Sequence, residues 1–269
     1  MAHLSDGTLR RKFDEADSVF GALDPFGGGL RGRTTVITNF GRAFHALGAY
    51  DRQLAVARRG QHQYPGRLYG EVDALAAIGR APELLARLDM AASIQGGSDL
   101  PARLMTTAIH ELRFHGHADV VPAVRMRLIA WLAAHPPAAG DEVAQRDAAR
   151  AFIAAERWDR LQPPTAPLAT RVADNPELLG LQGVALAMRG ERAGAVRVAT
   201  QLAAQRSPYY RQDRLEARAG IAAALGDRPG AFALFKEAYG PGVGFAHGRW
   251  LFDRLRDYPP FLAYLAPQG

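Results

Sequence analysis

Apolar and small residues recur along most of this chain at intervals of three and four, the period of one helix face. Val72-Leu75-Ala76-Ile78, Val124-Leu128-Ile129-Trp131-Leu132 and Leu215-Ala219-Ala222-Ala223 are examples. Gly, Pro or Asp interrupts the pattern at intervals of about 15 residues. No alternating β-branched block is long enough for a strand; Thr34 to Thr38 comes nearest and runs directly into a helical pattern. The pattern predicts an all-α fold.

The interruptions are themselves periodic. Gly226 is followed at offsets 5, 9 and 12 by Ala231, Phe235 and Ala238, and Gly190 by Ala195, Ala199 and Leu202. A glycine followed by small or apolar residues at those offsets marks a tight turn and then one packed face of a helix. Turns are expected at Gly48, Gly79, Gly116, Glu156, Gly190 and Gly226, separated by 31, 37, 40, 34 and 36 residues. Prolines agree with that register: Pro65 and Pro136 close helices, and Pro82 stands near the first helical position after Gly79, where a missing N–H costs nothing. A helix pair that cannot bury its own apolar face stacks on copies of itself, so a period near 34 predicts a solenoid of about six helix pairs.

Several residues carry a closer likeness. Gly48, Tyr50 and Pro65 fall at the offsets of the glycine, tyrosine and closing proline of a tetratricopeptide unit. Gly183, Gly190 and Ala195 match the two glycines and the alanine of another, and Gly226, Ala231, Phe235 and Ala238 match a third. The units after Gly79, Gly116 and Glu156 depart further from the pattern. The ending, Leu255-Arg256-Asp257-Tyr258-Pro259-Pro260-Phe261, resembles the last segment of tetratricopeptide-like regions in large bacterial Ser/Thr kinases and transcriptional regulators. The chain thus resembles a degenerate tetratricopeptide-repeat protein, which implies a right-handed superhelix and a non-catalytic role in binding a protein or peptide. No glycine-rich nucleotide loop, catalytic aspartate loop or Asp-Phe-Gly triplet is present, so the likeness carries no kinase activity.

The expected organisation is an N-terminal helix and Gly-rich linker over 1–32, a repeat array over 33–244 and a C-terminal capping segment over 245–269. In the cap, Trp250, Leu251, Phe252, Leu255, Phe261, Leu262 and Leu265 predict two short helices, the second folding over the helix of Phe232, Phe235 and Tyr239.

In tetratricopeptide arrays the first helix of each pair lines the concave face. Positions 13, 10, 6 and 3 before each turn fall on one helical stripe. They give Thr35, Thr38, Arg42 and His45; Tyr69 and Asp73; Arg103, Thr106, His110 and Arg113; Arg146 and Arg150; then Glu177, Asp213 and Glu216. The groove-binding candidates are Thr38, Arg42, His45, Tyr69, Arg103, His110, Arg113, Arg146 and Arg150. The stripe is basic in its first two-thirds and acidic in its last third, which points to an acidic protein or peptide partner.

Composition narrows the alternatives. With 48% hydrophobic residues the chain is folded, and with no cysteine it has no disulfide, thiolate metal site or cysteine nucleophile. The formal charge is +6, and all but Lys12 and Lys236 of its 33 basic side chains are arginine. Acidic residues are interspersed and no long run of one sign occurs, which speaks against a nucleic-acid surface. The first residues lead into Arg10-Arg11-Lys12 without an apolar stretch, and no run reaches the roughly 18–20 residues of a membrane span, so a cytoplasmic protein is expected.

Three motifs invite chemistry. Gly27-x4-Gly32-Arg33-Thr34 has phosphate-loop spacing but follows a segment with Gly21 and Pro25 rather than a strand, and reads as linker. His110-Glu111…His115 resembles a zinc-protease helix with the histidines five apart rather than four, which turns them to different faces; a metal-dependent hydrolase is therefore the third-ranked reading. Ser207-Pro208-Tyr209-Tyr210-Arg211, with Trp250, suggests the second: a small-ligand sensor module of a bacterial regulatory system. No catalytic residue, cofactor or metal is assigned.

Overall fold

The computed structural model of the protein describes residues 41–63, 68–93, 101–138, 141–161, 175–240 and 254–265. Among these the chain is all-α, with no strand. Residues 41–46 are helical; then follow α1 (Tyr50–Gln63), α2 (Tyr69–Ile78), α3 (Ala81–Ser93), α4 (Pro101–Phe114), α5 (Val121–Ala134), α6 (Glu142–Ala154), α7 (Pro176–Met188), α8 (Arg192–Ala204), α9 (Arg211–Ala224), α10 (Arg228–Tyr239) and α11 (Pro259–Leu265). Single 3-10 turns lie at Trp158–Arg160 and Pro208–Tyr210. No helix of the described residues is long and apolar enough to cross a membrane. The chain divides into two compact units, the helices up to Ser93 in the first and those from Pro101 to Leu265 in the second.

The turns repeat one geometry. Gly48, Gly79, Gly116, Gly190 and Gly226 have φ between 70° and 88°, and Glu156 has φ 58°. After each, the next backbone N–H donates to the carbonyl five residues back: Ala49 to Phe44, Arg80 to Leu75, His117 to Leu112, Arg157 to Phe152, Glu191 to Leu186 and Asp227 to Ala222, all at 2.8–3.0 Å. This 6→1 bond satisfies a carbonyl left open at the helix end and requires a left-handed residue, which glycine adopts without steric cost. The residue five beyond the turn then packs inward: Gln53, Leu84, Val121, Ala195 and Ala231 are all buried.

Helix starts are equally local in origin. Asn175 Oδ1 accepts from the N–H groups of Glu177 and Leu178, Asp141 from Ala144 and Asp227 from Gly230, while Pro122, Pro176 and Pro229 occupy first-turn positions.

Packing in the second unit is between neighbours. α4 contacts α5 and α6, α5 contacts α6, α6 contacts α7, α7 contacts α8 and α9, α8 contacts α9, and α9 contacts α10. One apolar cluster runs from α6 to α11, from Ile153 through Leu181 and Ile221 to Phe235 and Phe261. α7 and α9 approach closely because α7 presents Gly180 and Gly183 to Ala217 and Ile221; a Cβ on Gly180 would lie 2.6 Å from that of Ala217. α11 lies on α10 through rings: Phe261 is edge-on to Phe232 and Phe235, as is Tyr264. In the first unit α1 contacts α2 and α2 contacts α3, around Val72, Leu75, Leu84 and Leu88.

Arginine joins consecutive turns. Arg80 reaches Asp51 at 3.2 Å and Arg228 reaches Asp257 at 2.9 Å. Arg189 donates to the carbonyls of Trp158 and Leu161, Arg192 to that of Leu225 and Arg113 to that of Ala154. A guanidinium can span two turns and cap carbonyls at a helix end, where the helix dipole favours a cation. A good part of the positive charge is thus spent inside the fold.

Candidate functional site

The first-helix stripe is the candidate surface, and its residues meet different fates. Thr38 lies outside the described residues. In the first unit Arg42 is exposed on the 41–46 helix and Tyr69 on the first turn of α2. His45 is buried, edge-on to Tyr50 at 5.2 Å, with Nδ1 2.9 Å from Gln53 Oε1. Gln53 in turn donates to Asp73 at 3.4 Å. A polar chain therefore crosses from the 41–46 helix through α1 to α2, with its acidic end the most open to solvent.

Next to it lies a fully buried carboxylate. Glu71 on α2 accepts from Arg58 Nε at 2.9 Å, Arg87 Nε at 3.1 Å and Gln61, while Arg58 also donates to Glu83 at 2.6 Å. Two guanidiniums and an amide compensate a charge that alone would be expelled from the interior. Glu71 foremost, then Glu83, holds the Arg58 guanidinium above its ordinary pKa, and Arg58 holds the Glu83 carboxyl below its own.

In the second unit Arg103 is exposed on α4, whereas His110 is 2% exposed. Thr106 donates to the carbonyl of Ala102 at 2.7 Å, a local bond within the helix. Arg113 reaches Glu156 at 2.7 Å, and Arg125 on α5 reaches the same carboxylate at 3.0 Å. Arg150 on α6 donates through Nε to Glu177 on α7 at 2.6 Å and through Nη1 to Asp147 at 3.1 Å. Arg146 approaches the other oxygen of Glu177 at 3.8 Å. On α9, Asp213 is exposed, while Glu216 is buried and accepts from Gln212 and the Tyr239 hydroxyl.

The structure thus brings Arg146, Arg150 and Glu177 together across adjacent first helices. The basic and acidic stretches of the stripe meet as a network there, and Arg103 and Asp213 remain its exposed charges in this unit. The residues that sequence reasoning missed are the polar partners: Gln53, Asp147, Glu156 and Arg125. A glutamate standing at a glycine's register position was a readable signal for Glu156, and the i,i+3 spacing to Arg150 was one for Asp147; Gln53 and Arg125 meet partners on another element, which no spacing encodes.

The motifs with catalytic overtones resolve into pairs. Glu111 on α4 and His115 just past its end, four residues apart, approach to 3.3 Å, and His110 precedes Glu111 and so points roughly 100° away around the helix. The Gly27-x4-Gly32-Arg33-Thr34 motif and Trp250 lie outside the described residues. Tyr209 and Tyr210 form the 3-10 turn ahead of α9 and are exposed.

Fold and site together define an all-α chain of successive helix–turn–helix units. No protein-family model, curated protein or solved structure matches it.

Proposed function

We propose that this chain is a non-catalytic scaffold of degenerate tetratricopeptide type, a right-handed array of about six helix pairs marked by the six left-handed turns. It takes a protein or peptide segment along the face of the first helices. The observation that carries the reading is the identical 6→1 bond after every turn, joined in the second unit to packing between neighbouring helices. Repeat arrays are built in this way, each pair contacting the next and no common core collecting them. They present successive first helices side by side, and the stripe charges that reach solvent, among them Arg103 and in part Arg146, are the groups able to meet a partner.

The test is direct. Peptides selected from a displayed library on the purified protein should bind the stripe, and Arg103→Glu with Arg146→Glu should weaken them about ten-fold while leaving the helical circular-dichroism spectrum intact. Selected peptides that bind the double variant as tightly as the parent would remove the stripe from the proposal.

A further inference from the structure

The turn between α8 and α9 carries two adjacent tyrosines that reach solvent. Tyr209 is 91% exposed and Tyr210 is 49% exposed. Large apolar rings are expensive to leave in water, and Tyr and Arg are the side chains most enriched where proteins dock. The turn is also held in place. Pro208 fixes its own φ, the Arg211 N–H donates to the Pro208 carbonyl, and Arg214 donates to the carbonyl of Ser207. Arg211 is further tied to Glu237 of α10 at 2.7 Å. Two rings on a tethered turn lose little freedom on binding, which favours association.

Charge selects the occupant. Arg206, Arg211 and Arg214 lie within nine residues around the rings. Glu237 offsets Arg211, but Arg214 bonds a neutral carbonyl and Arg206 is exposed with no ion pair among the described residues, leaving Asp213 as their neighbouring counter-charge. A second copy of a chain carrying +6 is repelled from this patch, and an acidic segment is drawn to it.

We propose that Tyr209, Tyr210 and Arg206 form a docking point for an acidic peptide segment of a partner protein, one bearing an aromatic side chain between its carboxylates. The partner ring stacks on Tyr209, its carboxylates face Arg206 and Arg214, and Arg211 keeps the turn in place. The proposal rests on the scaffold reading for the class of partner, and it places the contact on the loop between pairs, away from the first-helix stripe.

The experiment uses the full chain and fluorescein-labelled peptides in an anisotropy titration. Asp-Glu-Trp-Glu-Asp should bind saturably, Asp-Glu-Ala-Glu-Asp about ten-fold more weakly and Lys-Lys-Trp-Lys-Lys not at all. Tyr209→Ala, and separately Arg206→Glu, should each weaken the acidic tryptophan peptide about ten-fold with melting temperature unchanged, since Tyr209 is almost wholly in water and Arg206 is exposed. Absence of saturable binding, or equal binding by the tyrosine variant, overturns the docking point. So does tighter binding of a single-stranded thymidine oligonucleotide, or rings buried by self-association in sedimentation. Loss of the peptide only in the Arg103→Glu/Arg146→Glu protein overturns it too, while leaving the scaffold reading standing. Library peptides indifferent to that pair remove the stripe alone.

Discussion

Glu156 stands where five other turns carry glycine, with φ 58° and its carboxylate between Arg113 and Arg125. A left-handed conformation costs a non-glycine residue about 1–2 kcal/mol, and partly exposed ion pairs return about 0–1 kcal/mol each, so the two effects nearly cancel. Glu156→Ala keeps the strain and loses the pairs. Glu156→Gly loses the pairs but removes the strain, with part of that gain offset by the greater freedom of glycine in the unfolded chain. The glycine variant should therefore be more stable than the alanine variant by about 0.5–1 kcal/mol in urea denaturation. An alanine variant equal to or more stable than the glycine one would show that φ at this turn is not under strain.

Among helices, the informative contact is the approach of α7 to α9. A methyl group on Gly180 would meet both the Cβ and the Cα of Ala217. Overpacking of this kind costs about 1–3 kcal/mol, and Ala217→Gly in the same molecule should recover part of it, because the nearer of the two collisions disappears. Strict additivity of the two substitutions would mean that the helices simply move apart. At the far end of this unit Phe261 is buried against Phe232 and Phe235, so Phe261→Ala should cost about 3–5 kcal/mol in the same assay. A loss below about 1 kcal/mol would mean that α11 is weakly attached. Much at this scale was legible in the sequence: each turn is a local device whose left-handed residue restricts the amino acid allowed, so Gly48, Gly79, Gly116, Gly190 and Gly226 reveal their own register. The glycine pair at 180 and 183 was half legible, since Gly183 fits the repeat pattern while Gly180 declares itself only against Ala217. The stripe was legible as a set of positions but not as a surface. Whether Arg150 faces solvent or Glu177 depends on a helix 27 residues away in the chain, and no spacing encodes that choice.

For the molecule as a whole, the decisive balance is between arginines and the carboxylates they hold. Asp159 has its carboxyl lowered to about 2, chiefly by hydrogen bonds from Arg157, and Glu83 is lowered by Arg58. A carboxyl whose pKa is lower in the folded than in the unfolded chain adds stability in its charged form. That contribution is complete above the unfolded value near 4 and is lost as pH falls towards the folded value. The guanidinium partners stay protonated throughout, so the loss comes entirely from the acids. Thermal melts should accordingly be level from about pH 7 to 5 and fall between about pH 4 and 2. Asp159→Asn should make that fall shallower, with parent and variant converging near pH 2, where the native aspartate is itself half protonated. Because the Asp159 pair lies at the surface, added salt should shrink the difference between the two proteins at neutral pH. A variant that retains the full acid-side fall, or a gap between the proteins that persists at pH 2, would show that Asp159 takes no part in the acid response.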